Sequence, residues 1–295
     1  MLLLTPTQHT DYELIDSGGF EKLERFGAYT LIRPEPQAVW DKSLSDVQWN
    51  ARADAVFSRD KNSQEKGQWQ LKTRMPERWN MVYATPLLDL RAKLTLSSFK
   101  HVGIFPEQAV NWDYIAHKLS VMPVEKPTVL NLFAYTGVAS LAAKAHEADV
   151  THVDAVKPVI NWSRENMELS SLDNIRWVVE DAMKFVKREV RRGKKYNGLI
   201  LDPPAYGRGP NGEKWLLEEQ INELIGLCAE LLAKENHFFI INLYSLGFSS
   251  LILDNLINSH FGQTTGYESG ELFLQDSFRK KLPLGVFARF SDIST

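Results

Sequence analysis

The chain has 295 residues, 44% hydrophobic and 24% charged, with a formal net charge of −3. That is an ordinary globular composition with enough length for a substantial core, and its weak negative charge means a nucleic-acid partner must be met by a local basic patch. A single cysteine, Cys228, excludes an intrachain disulfide and a cysteine-built metal site, and no two histidines stand at close metal-ligand spacing. The start "MLLLTPTQHT" is too poor in apolar residues for a signal segment, and no apolar run approaches membrane-spanning length. A cytoplasmic protein with no membrane partner and no metal is expected.

Residues 1–100 hold Trp40, Trp49, Trp69 and Trp79. Short extended runs ("YELIDSGGFEKLERFG", "AYTLIRPEP", "GQWQLKTRMPERW", "NMVYATPLLDL") are punctuated by Ser-Gly-Gly, Pro-Glu-Pro and Lys-Gly. This texture predicts a small, mainly antiparallel β domain. Its tryptophans could stack nucleobases or fill a thin β core.

Beyond about residue 119 strands and helices alternate. "TVLNLFAY", "DVTHVDA", "IRWVVE", "YNGLILD" and "HFFIINLYS" read as strands. Between them "GVASLAAKAHEA", "KPVINWSRENMELSS", "DAMKFVKREVRR" and "EKWLLEEQINELIGLCAELLAKE" have helical spacing. The helix "SSLILDNLINSHF" and a strand pair at "ELFLQ" and "LGVFARF" follow. The expected fold class is α/β: a Rossmann-like, doubly wound, mostly parallel seven-stranded sheet over 101–295, beside a small β-rich domain over 1–100. Ligands of such sheets sit at the carboxyl ends of the strands.

The first strand ends in "NLFAYTGVAS", with Gly137 opening the next helix. The second ends at Asp154, the third at Glu180-Asp181, the fourth at Asp202. Asp154 lies seventeen residues beyond Gly137, close to the roughly 20-residue offset at which a carboxylate accepts ribose hydroxyls. The turn has one glycine and two aromatics, Phe133 and Tyr135, rather than the several glycines of a pyrophosphate cradle. It suits an adenosine cofactor without phosphates, S-adenosylmethionine, whose sulfonium tolerates aromatic faces. Asp181 could accept from an adenine amino group. Taken singly, Asp154 and Asp181 also fit helix capping.

"LDPPAYGRG" leaves the fourth strand at the site mouth. Prolines offer carbonyls but no N–H, and each holds the preceding residue extended. Asp202, Pro203 and Pro204 therefore present acceptors only, which can grip an exocyclic amine and aim its lone pair at an electrophilic methyl. Tyr206 could stack a planar ring, and Arg208 could meet a substrate phosphate or carboxylate. The plainer reading of the same residues is a rigid turn.

"NLFAYTGVAS", "THVDAV", "EDAMKF" and "LDPPAYGRG" together resemble the central motifs of class I SAM-dependent methyltransferases. Within that class the chain is similar to the bacterial group containing the large-subunit ribosomal RNA cytosine-5 and guanine-N7 enzymes. The likeness extends to "HVGIFPEQAVNW" and "SGGFEKLERFGAYTLIRPEPQAVW", nearly the whole chain. It implies that Phe133, Tyr135 and Gly137 shape the methionine side of the pocket. Asp154 would take the ribose, Asp181 and Ala182 the adenine edge, and Gln108 a place near the cofactor. The arginine that follows this glutamine in the RNA enzymes is Ala109, and the PUA-like RNA-binding domain of the cytosine enzyme is missing. So is its catalytic cysteine: Tyr244 and Ser245 occupy that region, while Cys228 sits in the apolar run "LIGLCAELL".

The third helix carries Lys184, Lys187, Arg188, Arg191, Arg192 and Lys195. A phosphate-binding stripe and the solvated face of an amphipathic helix both fit. The expected function is methylation of an RNA base, in ribosomal RNA, by direct transfer to nitrogen. A protein or small-molecule methyltransferase, or an inactive RNA-binding protein retaining S-adenosylmethionine, are the alternatives. Oligomeric state is not legible.

Overall fold

Alternating burial along the short runs of the amino-terminal region produces pleated strands with one wet face. In the computed structural model, which describes residues 1–7, 9–60, 66–244 and 247–293, the chain forms two compact units. Thr5–Ala109 and Phe273–Leu284 make one; Met1–Leu4, Val110–Leu272 and Gly285–Thr295 make the other. These units do not coincide with a cut at residue 100, because 1–4, 101–109 and 273–284 each group with the opposite partner.

After β1 (Leu2–Leu4), the first of these units contains β2 (Tyr12–Gly18), β3 (Glu21–Phe26), β4 (Tyr29–Pro34), α1 (Asp46–Arg52), β5 (Ala55–Arg59) and β6 (Gly67–Leu71). β7 (Arg78–Ala84) and β8 (Asp89–Thr95) form a separate hairpin. The sheet order is β2-β3-β4-β5-β6, antiparallel except where Leu31 of β4 pairs in parallel with Ala55 of β5. That exception follows from α1, which the sequence reading did not anticipate and which returns the chain to the same end of the sheet. Its start is a capping box between Ser45 and Gln48. Buried Asp16 pins it, accepting Trp49 Nε1 at 2.7 Å, the Leu44 amide at 2.9 Å and Lys280 Nζ at 2.8 Å.

The tryptophans serve this unit's own packing. Trp49 and Trp79 are buried, and Trp40, Trp69 and Trp79 donate their indole N–H to Ser17, Phe99 and Phe26 carbonyls respectively. Of the two readings of these rings, core filling describes Trp49 and Trp79.

Besides β1, the second unit holds α2 (Ala109–Ser120) and alternates β9 (Thr128–Leu132), α3 (Val138–Lys144), β10 (Asp149–Asp154), α4 (Lys157–Leu169), β11 (Arg176–Val179), α5 (Ala182–Arg191) and β12 (Gly198–Leu201). A hairpin of β13 (Tyr206–Arg208) and β14 (Lys214–Leu216) precedes α6 (Leu217–Leu231). Then come β15 (His237–Leu243), α7 (Ser250–Phe261), β16 (Glu268–Gln275) and β17 (Lys281–Asp292), of which the stretch Phe273–Leu284 groups with the first unit.

The sheet order is β1-β16-β17-β15-β12-β9-β10-β11. β15, β12, β9, β10 and β11 run parallel, and β17 enters antiparallel beside β15. The seven expected strands are all present, and Leu2–Leu4 adds an eighth at the edge, parallel to β16. The parallel strands are near-continuous apolar runs because helices cover both faces. Leu130, Leu132, Leu199, Leu201, Phe239 and Ile241 form the centre of the core. Among the described residues no helix is long and apolar enough to cross a membrane.

Chain direction across the sheet reverses between β9 and β12. From β9 the chain moves outward to β10 and β11, then returns to the other side through β12 and β15. A crevice at the carboxyl ends of β9 and β12 is the topological consequence.

Candidate active site

The turn after β9 coils tightly. Phe133, Tyr135 and Gly137 all have positive φ, at 54°, 48° and 87°. Two non-glycine residues in the left-handed region mark a segment whose surroundings hold it there. At Gly137 a Cβ would lie 3.2 Å from both His152 Cε1 and Ser163 Cβ, so this position needs glycine for space as well as for φ.

What holds the turn is a buried polar network beneath it. Asn131 Nδ2 donates to Ser140 Oγ at 2.9 Å, and Ser140 Oγ lies 3.0 Å from His152 Nδ1. Ser163 Oγ donates to the Tyr135 carbonyl at 2.7 Å, and Asn166 Nδ2 to the Thr136 carbonyl at 2.9 Å. His152 is fully buried, its ring against Trp177, and burial pushes its pKa down to about 3. It is therefore neutral at pH 7, a structural histidine. Asn131, Ser140, His152, Ser163 and Asn166 were not singled out from sequence as supports of the turn; their signal is the presence of hydrogen-bonding side chains inside otherwise apolar elements.

Asp154 closes the turn from the second strand. Its Oδ2 accepts the Tyr135 amide and its Oδ1 the Val156 amide, each at 2.9 Å. Burial raises the Asp154 carboxyl above the usual carboxylate range, against the lowering effect of those two amides. A carboxylate has about four acceptor sites, so about two are left for hydroxyls. Asp181 is the N-cap of α5, its Oδ1 accepting the Lys184 amide at 2.9 Å. Ala182 follows as the first residue of α5 and is buried. Capping is thus one use of Asp181; its second oxygen accepts from no described residue.

Asp202 emerges from β12 half-buried and accepts no hydrogen bond from a described residue. Burial alone pushes its carboxyl up to about 7. Pro203 is buried and Pro204 exposed. The segment beyond them is not merely a turn: Tyr206–Arg208 pairs antiparallel with Lys214–Leu216, and the helix expected from residue 213 begins at Leu217. Tyr206 is 62% exposed and Arg208 is exposed.

Trp215, which sequence reasoning had placed in that helix, anchors the hairpin. It is buried, donates Nε1–H to the Pro204 carbonyl at 2.7 Å, and packs 4.9 Å from the Phe133 ring. It joins the loop after β12 to the turn after β9. Gly209 lies against Asp181: a Cβ there would sit 3.0 Å from the Asp181 Cβ. Phe133, Tyr135, Gly137, Asp154, Asp181, Ala182, Asp202, Pro203, Pro204, Tyr206 and Arg208 thus all belong to the ends of β9, β10, β11 and β12 or the segments leaving them. Gln108 does not: it belongs to the other unit, where it ends the 3-10 turn Pro106–Gln108.

The basic face of α5 is largely compensated. Lys184 pairs with Glu213, Lys187 with Glu223, Arg188 with Glu180 and Arg192 with Glu189. Lys195 donates to the Glu230 carbonyl and Arg191 has no ion pair among the described residues, so the ion-paired reading describes four of the six cations. Cys228 is fully buried in α6, and burial pushes its thiol pKa up. Tyr244 follows β15 and is 42% exposed, while Ser245 lies outside the described residues.

No family model matches the chain. Among curated sequences, the Ribosomal RNA large subunit methyltransferase K/L of Shewanella frigidimarina is 29% identical over 154 residues, 51% of this chain and 21% of that protein. The Ribosomal RNA large subunit methyltransferase K of Neisseria meningitidis is 25% identical over 136 residues, 45% of this chain and 37% of that one. The chain therefore spans well under half the length of these curated relatives. A solved structure, the SAM-dependent methyltransferase from Agrobacterium tumefaciens, is 36% identical, with a TM-score of 0.89 over 99% of this chain and 93% of its own. Likeness at that level extends along nearly the full length of both chains, and the chain belongs to the SAM-dependent methyltransferases.

Proposed function

We propose that this chain methylates a base of RNA, in large-subunit ribosomal RNA, by direct transfer to nitrogen. The carrying observation is Asp202: a half-buried carboxylate at the switch point, with no described partner and followed by two prolines. The curated relatives' names point to ribosomal RNA as the substrate class. In this reading residues 101–295 carry the chemistry and the β-rich 1–100 part serves substrate selection.

The strand ends fit S-adenosylmethionine, the cofactor of the family. Asp154 retains acceptor capacity for ribose hydroxyls, and Asp181 retains an oxygen for the adenine amine, with Ala182 beside it. Phe133, Tyr135 and Gly137 wall the methionine side, where a single glycine leaves no cradle for a pyrophosphate. When bound, S-adenosylmethionine supplies a methyl carbon on a sulfonium, the C–S bonding pair staying with sulfur on transfer. The Asp202 carboxylate and the Pro203 carbonyl accept the hydrogens of an exocyclic amine and fix the direction of its lone pair. Asp202, ionised above pH about 7, then takes the proton shed by the alkylated nitrogen. Trp215 holds Pro204 and so the loop's carbonyls in place.

The test is transfer of label from methyl-labelled S-adenosylmethionine into RNA lacking the modification, prepared from a deletion strain, with protein from the same strain as the parallel substrate. Label in RNA, recovered as an N-methylated nucleoside, supports the reading. Label in protein alone, or a C-methylated nucleoside, overturns it.

A further inference from the structure

The β13–β14 hairpin has two faces of opposite character. Its register is Tyr206↔Leu216, Gly207↔Trp215 and Arg208↔Lys214. Side chains alternate along a strand, so Gly207 and Trp215 share the inner face, where Trp215 is tied to Pro204 and Phe133. Tyr206, Arg208 and Lys214 share the outer one, and all are exposed.

Arg208 and Lys214 are thus like charges directly opposite each other on paired strands, an arrangement that repels. Among the described residues neither has an ion pair or a side-chain hydrogen bond. The adjacent acid does not compensate them: the Glu213 carboxylate is turned to Lys184 Nζ at 2.5 Å and to the Asn211 amide at 2.9 Å. Glu218 and Glu219, in the first turn of α6, do not pair with them either. The contrast with α5, where Lys184, Lys187, Arg188 and Arg192 each have an acid, is the point. On the hairpin, by contrast, two exposed cations are set against each other rather than against an acid.

We propose that Arg208 and Lys214 form a phosphate clamp for a single-stranded RNA segment, with Tyr206 stacking a base beside it, which rests on the RNA reading above. Two cations on one face beside an exposed aromatic combine the two elements of sequence-tolerant single-strand binding, backbone charge and a π surface. The hairpin carries them on the same loop as Asp202, so the clamp would set which nucleotide reaches that carboxylate. Lys214 adds to Arg208 a residue whose neighbours Glu213 and Trp215 both point elsewhere.

The experiment titrates a fluorescent single-stranded RNA oligonucleotide with wild type, Arg208→Ala, Lys214→Ala and the double variant over a salt series, with thermal midpoint and S-adenosylmethionine affinity measured alongside. The slope of log K against log salt should shrink by about 0.7 for each cation removed. Thermal midpoints should not fall, because removing either charge relieves repulsion, and cofactor affinity should stay within a few-fold. Wild type that binds RNA with a slope identical to the variants' overturns the clamp and leaves the RNA reading standing. Wild type that binds no RNA at any salt overturns both. Binding of a polyglutamate peptide that depends on Arg208 and Lys214, with RNA binding independent of them, overturns the clamp in favour of an acidic protein partner.

Discussion

Trp215 donates its indole N–H to the Pro204 carbonyl at 2.7 Å. One bond therefore fixes the peptide that follows the candidate substrate-gripping residues, and the same ring reaches Phe133 in the turn after β9. Trp215→Phe keeps an aromatic against Phe133 and loses the bond. It should cost about 1 kcal/mol of stability and lower kcat roughly tenfold through misplaced acceptors, with cofactor affinity within a few-fold. Trp215→Ala should cost about 3–5 kcal/mol and weaken cofactor binding too. Thermal melts, titration calorimetry and initial rates check this, and a wild-type kcat in Trp215→Phe sinks it.

Asp154 is expected to hold the ribose. Asp154→Ala removes charge-assisted bonds worth about 1.5–3 kcal/mol, so S-adenosylmethionine affinity should fall at least tenfold. It also strands the Tyr135 and Val156 amides, which will loosen the turn. Calorimetry on the folded variant decides; unchanged affinity removes Asp154 from the site.

Asp202 sets a pH dependence. With its carboxyl near 7, turnover should climb as pH rises through about 7, and Asp202→Asn should flatten that limb while lowering kcat and leaving cofactor affinity within a few-fold. Stability runs the other way. The folded pKa is raised above the unfolded value, so the group's contribution is present at low pH and is lost as pH rises through about 7. Asp202→Asn should abolish that decline in thermal midpoint. A kcat–pH profile identical in both proteins would be fatal to the assignment.

Cys228 tests which chemistry is absent. Cytosine-5 methylation needs a thiolate that adds to the ring, and the single thiol is buried within α6 with its ionisation suppressed. Cys228→Ser should retain most methyl transfer, and RNA containing 5-fluorocytosine should trap no covalent adduct. A thiol-dependent adduct on a denaturing gel would restore the cytosine-5 reading.

The parallel strands and their acidic ends were legible because buried runs such as "TVLNL" and "GLIL" are apolar and Asp154 and Asp202 interrupt them abruptly. The hairpin was not legible: "EKWLLEEQ" keeps a helical apolar spacing across Trp215 and Leu217, and only the tertiary contact with Phe133 and Pro204 pulls Lys214–Leu216 into a strand. α1 was missed although its capping box is written at Ser45 and Gln48, because the surrounding tryptophans and turn residues suggested strands. The network under the turn after β9 escaped because Asn131, Ser140, His152 and Ser163 come from separate elements, and their meeting is a property of the packed sheet.

The edge strand Leu2–Leu4 carries a kinetic consequence. It pairs in parallel with Gly270–Leu272, across more than two hundred residues of intervening chain. Closing so long a loop is entropically slow relative to the local βα pairings, so this ladder is placed among the last to form. Until it does, β16 presents an open row of amides and carbonyls, the template on which another chain's strand can add. Gly270 sharpens the demand, since any Cβ there would collide with the Leu2 backbone. Once paired, Leu2–Leu4 covers that edge of β16.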